Sequence, residues 1–250
     1  MWPGRPLLER IDAAAKAGFR AIEFHWPYDT PGESVREACA DRGLTLLGIN
    51  TVRGDVAAGD FGLGAVPGRE KEFEAAMDQS IAYCRASGAT SIHAMAGIND
   101  PAKKEAAAAV FRENLTRAAG KASAQGLTLL LEPLNPRDVP GYFLSSVEAA
   151  EEIIVAVGAP NIRIMFDVYH IAIAQGDVLT RLERFLPLVG HVQIAAVPSR
   201  HEPDEGEIAY GAIFEKLDEL GYGGWVGCEY KPRGATESGL GWVETLGVRL

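Results

Sequence analysis

Several familiar kinds of function need residues that this chain does not have. Cys39, Cys84 and Cys228 are its only cysteines. Their odd number and wide separation make neither a disulfide framework nor a thiolate metal motif, which fits a reduced, cytoplasmic interior. Each reads as a small buried hydrophobe rather than a reactive thiol. Positive charge is also scarce, with 24 Lys and Arg against 34 Asp and Glu and a net charge of −10. A nucleic-acid surface needs a basic stripe, so no nucleic-acid partner is expected. No apolar run is long enough to span a membrane, and the opening MWPGRPLLER lacks the apolar core of a secretory signal. There is no G-x-S-x-G and no phosphate-binding P-loop, so serine acyl transfer and nucleotide triphosphate chemistry lack their usual marks.

What the sequence does contain is regular. Hydrophobic residues make up 47% of 250 positions, ample for a core, and no linker or low-complexity tract divides the chain. The length suits one α/β domain over 1–250. Short apolar strands are expected over 21–26, 44–50, 91–97, 127–132, 162–167, 190–194 and 224–229. Between them helical spacing covers 5–18, 33–42, 70–87, 102–125, 146–157, 171–186 and 210–220, with a short helix at the end. Several of these helices stop at a glycine. Strand and helix in alternation mean a parallel sheet. The pattern predicts a (β/α)8 TIM barrel lacking, or truncated at, its first strand, because the chain opens directly on a helix. An open doubly wound sheet would also accept seven strands. The barrel is preferred because it makes polar residues at the ends of neighbouring strands converge on one point. The glycine-rich loop 53–69 is expected to act as a lid.

Those polar residues stand out at the strand ends. In LTLLLEPLNP (127–136) the apolar run stops at Glu132 and a Pro follows at once. A carboxylate there is costly unless it is paired, hydrogen-bonded or bound to a metal. The arrangement returns at Asp167 in IRIMFDVYH, at Gln193 in HVQIA and at Glu229 in WVGCEYKP. The intervals are roughly 26 to 36 residues, about one strand–helix unit each. One such acid alone would read as a helix cap; four in phase read as a ligand set. Three carboxylates and an amide oxygen are hard donors, which select Mg²⁺ or Mn²⁺. A divalent ion between two glutamates suits a carbonyl substrate whose carbon-bound proton is moved. One Glu removes it and the other returns a proton to the neighbouring carbon, giving aldose–ketose isomerisation or epimerisation.

The chain also resembles the hydroxypyruvate isomerase family of the xylose isomerase-like TIM barrels. The matching runs include GDVAAGDFGLGAVPGREKEF (54–73), HAMAG (93–97), LEPLN (131–135), GYFLSS (141–146), FDVYH (166–170), HVQIAAVPSRHEPDEGEIAY (191–210) and GYGGWVGCEYKPRG (221–234). They spread over nearly the whole chain. The resemblance implies a metal site at Glu132, Asp167, Gln193 and Glu229, with Glu132 and Glu229 as the catalytic acid/base pair. Gln193, where ketose 3-epimerases carry His, points to the hydroxypyruvate isomerase branch. Ala172 departs from the Gln expected there in many members.

The implied reaction interconverts hydroxypyruvate and tartronate semialdehyde. A four-carbon 2-oxo acid such as 2-oxotetronate is the alternative, and a non-catalytic sugar-acid binder or an abasic-site nuclease are more distant ones. The expected partner is a small 2-oxo or hydroxy acid, and a homo-oligomer is left open. Four residues are candidates for substrate binding. His170, three residues after Asp167, can hold a substrate oxygen. Arg200 can grip a carboxylate with two hydrogen bonds, and Glu202 is placed to orient Arg200. Lys231 can attract an anion to an acidic protein. His25 can form a pocket wall, Trp26 reads rather as a core aromatic, and His93 and His191 as satisfied interior histidines.

Overall fold

A computed structural model describes residues 1–250. Seven strands form one sheet in sequence order: β1 (Ala21–Phe24), β2 (Thr45–Asn50), β3 (Ser91–His93), β4 (Thr128–Leu131), β5 (Ile162–Asp167), β6 (Val189–Ile194) and β7 (Val226–Cys228). Every neighbouring pair is parallel. The sheet curls into a nearly closed TIM barrel. Helices α1 (Leu7–Lys16), α2 (Gly32–Ala40), α3 (Glu70–Ser87), α4 (Lys104–Ser123) and α5 (Val147–Val157) return the chain between the first five strands and beyond. No helix is long and apolar enough to cross a membrane.

The elements follow from their residues. The middle strands are apolar and covered on both faces; Ile92, Leu129, Ile164 and Phe166 are fully enclosed. Helix α4 turns Phe111, Leu115 and Ala122 into that core. Helices α3 and α5 end on Gly88 and Gly158 at φ 84° and 69°, a left-handed turn that a side chain disfavours.

One helix is not as expected. The stretch 171–186 is two helices, α6 (Val168–Ala174) and α7 (Val178–Phe185). Gly176 and Asp177 between them both have positive φ, which breaks the helical path. α6 also starts early, because the Asp167 carboxylate caps it by accepting the Tyr169 N–H at 2.9 Å. The remaining helices, α8 (Tyr210–Glu219) and α9 (Trp242–Thr245), complete the order.

The barrel is open between its first and last strands. β1 pairs only with β2, and β7 only with β6. Both strands are half-buried along their length, unlike those between. A cavity of about 1130 Å³ runs from the barrel mouth into this opening, past Met1, Trp2 and Phe19. Trp2 is buried there; its backbone N–H donates to Thr236 Oγ1 at 3.0 Å and its indole N–H to Glu237 at 2.8 Å.

Candidate active site

Sheet register brings the four expected ligands to one rim. Asp167, the last residue of β5, pairs with Gln193 of β6, and Gln193 pairs with Gly227 of β7. Glu132 directly follows β4 and Glu229 directly follows β7. The Glu229 N–H is tied back to the Ile194 carbonyl at 3.2 Å. Glu132, Asp167 and Gln193 are buried, and the Glu229 side chain is 18% exposed.

The donor set fits a hard divalent cation. Asp167 uses Oδ1 as the α6 cap, and its Oδ2 is buried with no hydrogen-bond partner. Gln193 donates from Nε2 to Glu23 at 3.1 Å, and its Oε1 is likewise unpartnered. Glu229 Oε2 is also buried, but it faces the Arg200 guanidinium at 3.0 Å, an ion pair outside hydrogen-bond geometry. Buried acceptors left without donors are rare and call for an explanation; a bound cation supplies one. Electrostatics agree. Burial and the nearby Glu229 charge raise Asp167 to about 8. Burial, then the Glu229 and Asp167 charges, push Glu132 well above the usual carboxylate range. Such crowding is what a cation would relieve.

Glu229 behaves oppositely. Burial pushes it up, but His25 and Arg200 outweigh that and hold it below its ordinary range. His25 Nε2 lies 2.9 Å from Glu229 Oε1, and Arg200 Nη2 lies 3.0 Å from Oε2. Arg200 also faces Asp167 Oδ2 at 3.8 Å and covers the Tyr169 ring at 4.7 Å. Its own backbone has φ 58°, two residues after the cis Val197–Pro198 bond. The guanidinium is therefore set into the site rather than lying on the surface.

His170 is a donor. Its Nδ1 accepts the Asn135 backbone N–H at 3.0 Å, so in the neutral ring the proton sits on Nε2. Burial, then Arg200, lowers its pKa to about 4. Nε2 lies 3.6 Å from Asp167 Oδ2 and 3.8 Å from Glu132 Oε1. Glu132, Asp167 and His170 thus gather closely enough to hold a metal. In that tautomer Nε2 presents a proton and not a lone pair, which suits a hydrogen bond better than a metal.

Two substrate candidates sit differently. Lys231 is exposed at the cavity mouth, and its backbone N–H braces the Arg200 carbonyl at 2.8 Å. Glu202 does not orient Arg200. It is fully buried, and its carboxylate accepts the Arg233 backbone N–H at 3.1 Å and side-chain Nε–H at 3.0 Å. It latches the β6–α8 loop to the segment after β7.

The loop 53–69, expected to act as a lid, lies against the barrel in this structure. Gly64 and Ala65 donate backbone N–H groups to Met95 and Ala96, Asn114 donates to the Gly64 carbonyl, and Arg69 grips both oxygens of Asp60. The loop is stitched down, with Phe61 on the cavity wall.

His25, Glu23, His93 and His191 were undervalued. His93 Nδ1 lies 3.3 Å from Glu132 Oε2, and its Nε2 has no partner. His191 Nε2 lies 3.1 Å from Glu23 Oε2, off the line of a good hydrogen bond. The available signal was Glu23-x-His25 at the end of β1, two alternate residues that share one face.

A family model for the xylose isomerase-like TIM barrel matches residues 11–246. A 2-oxo-tetronate isomerase from Cupriavidus necator is 46% identical over 98% of this chain and 94% of its own length. A hydroxypyruvate isomerase from Escherichia coli is 38% identical over 95% of this chain and 92% of its own. A crystal structure titled AP endonuclease, family 2, from Brucella melitensis superposes with a TM-score of 0.95 at 42% identity. It covers 98% of this chain and 95% of that one. With its barrel and rim matched nearly end to end, the chain belongs to the xylose isomerase-like TIM barrel family, in its hydroxypyruvate isomerase group of isomerases.

Proposed function

We propose that the chain is a divalent-metal-dependent isomerase of short 2-oxo acids that carry a hydroxyl beside the carbonyl, interconverting hydroxypyruvate and tartronate semialdehyde. The observation that carries this reading is the pair of unpartnered buried oxygens on Asp167 and Gln193, set between Glu132 and Glu229. Glu132, Asp167, Gln193 and Glu229 would hold Mg²⁺ or Mn²⁺. When bound, such an ion polarises the carbonyl and the adjacent hydroxyl.

The protein's own groups then divide the work. Glu132 and Glu229 stand on β4 and β7, with β5 and β6 between them. One takes the proton from C3 of hydroxypyruvate, and the electron pair of that bond forms the enediol. The other returns a proton to C2, while one proton passes from the C3 oxygen to the C2 oxygen. His170 offers Nε2–H to a substrate oxygen. Arg200 pairs the substrate carboxylate, with Lys231 drawing the anion to the mouth. Trp26 and Phe61 keep water from the enediol.

A second reading has its own support. The relative at 46% identity is named for 2-oxo-tetronate, and a cavity of about 1130 Å³ has room for a fourth carbon. The nuclease in the Brucella title finds less support, since the net charge is −10 and the rim gathers carboxylates. Buried, unpaired Cys39 and Cys84 suit a reducing compartment such as the cytoplasm.

The test is to incubate the protein with Mg²⁺ and each oxo acid in D₂O and follow the carbon-bound proton by NMR. Metal-dependent exchange and product formation are expected. The ratio of kcat/KM for the three- and four-carbon acids decides between the two substrates. No exchange with any oxo acid, or cleavage of an abasic-site duplex instead, would overturn the isomerase reading.

A further inference from the structure

Gln193 is the odd ligand of the set. A carboxylate presents oxygen whichever way it turns. An amide presents oxygen one way and an NH₂ group the other, and the second arrangement repels a cation. Something has to fix the amide. In this structure its Nε2 donates to Glu23 Oε1 at 3.1 Å. With a carboxylate on that side, the flipped amide would set oxygen against oxygen.

The contact is built into the sheet. Glu23 lies on β1, at one end of the strand order, and Gln193 on β6, with only β7 beyond it at the other. Glu23 reaches Gln193 by passing over Gly227 of β7. A Cβ at Gly227 would collide with the Glu23 carboxylate and come within 2.8 Å of His191 Nε2. The glycine therefore leaves the space in which the carboxylate lies. His191 Nε2 stands 3.1 Å from the other Glu23 oxygen.

We propose that Glu23 is a positioning residue for the metal site. Its carboxylate reaches across Gly227 and holds the Gln193 amide so that Oε1, not Nε2, faces the cation. This rests on the reading of Gln193 as a metal ligand. Partners that orient a ligand from behind typically matter by about 10–100-fold in metal affinity.

The test is calorimetric titration of the purified chain with Mn²⁺, beside Glu23→Ala, Glu23→Gln and the double variant Glu23→Ala/Gln193→Glu. Thermal unfolding without metal checks that each is folded. Glu23→Ala is expected to bind Mn²⁺ about 10–100-fold more weakly. Glu23→Gln should fall between the parent and Glu23→Ala, because its amide can accept from Gln193 Nε2 but can also turn its NH₂ to a flipped Gln193. The double variant should recover affinity, since a carboxylate at 193 has no wrong orientation and no longer faces Glu23. If Glu23→Ala binds Mn²⁺ within about twofold of the parent, the proposal is overturned. It is equally overturned if the double variant stays as weak as the single one, because Glu23 then acts on the site's shape and not on the amide. If the parent itself binds no Mn²⁺, it is the metal site that fails, an outcome separate from both.

Discussion

The two halves of the rim are built differently. Glu132, Asp167 and Gln193 stand on strands that are paired on both sides. There the strands themselves are enclosed, Asp167 is held by the Tyr169 N–H and Gln193 by Glu23. Glu229 stands on β7, beside the opening, where the strand is half-buried and paired on one side only. Side chains hold it instead, His25 from β1's end and Arg200 from the loop after β6. Charge follows the same division. The enclosed carboxylates are raised by burial and mutual repulsion, whereas the edge carboxylate is lowered by its partners. The closed half thus supplies oxygens that need a cation, and the open half supplies a glutamate already matched by cationic neighbours.

The largest effect is expected on the closed half. Asp167→Ala should abolish Mn²⁺ binding and turnover, since it removes a charged ligand from a small cage. Calorimetry and the NMR assay check it; full activity in that variant without added metal would refute the cation site. Next comes the pair that spans both halves. Glu132→Gln and Glu229→Gln keep an oxygen for the metal but remove the proton carrier, so each should lose about 10²–10⁴-fold in kcat at saturating metal. A normal kcat in either would leave that residue a ligand only.

Arg200→Lys tests the edge half. A lysine keeps the charge but not the planar two-pronged grip. KM for the oxo acid should rise about 10–100-fold, the equivalent of a charged hydrogen bond of ~1.5–3 kcal/mol. An unchanged KM would place the substrate carboxylate elsewhere.

How much of this was legible in the sequence also differs between the halves. The closed half announced itself, because each ligand interrupts an apolar run at a strand tip, and such runs have few alternative readings. The open half was obscured. Glu23 and His25 belong to a short strand whose partner on one side is absent, and their contacts reach across the sheet to β6 and β7. Spacing along the chain cannot reveal a contact between residues 170 apart. Arg200 was legible only as one charged residue of a polar loop able to grip a carboxylate; its contacts with Glu229 and Asp167 come from the fold. Glu202 shows the reverse error: a charged residue beside Arg200 in sequence whose partner, Arg233, comes from another segment. The break at Gly176–Asp177 was visible as residues, but 171–186 carried enough helical spacing to read through it.

The smallest effect is a stability change with an unusual sign. Burial and the Glu229 charge raise Asp167 to about 8 from an ordinary value near 3.8. Between those values the folded chain holds a proton that the unfolded chain releases. Stability that this group contributes is therefore complete below about pH 4 and is lost as pH rises through 8. Asp167→Asn has no such proton, and asparagine still caps α6. In chelator-treated protein the variant's Tm should gain on the parent as pH rises from 4 to 8, then level off. Each ~1 kcal/mol of difference corresponds to about 2–4 °C in Tm for a domain of this size. Saturating Mn²⁺ should reverse the order, since the ion binds the folded parent and raises only its Tm. A difference that does not vary with pH in the metal-free proteins would mean that Asp167 is ionised throughout, and that the closed half already contains its counter-charge.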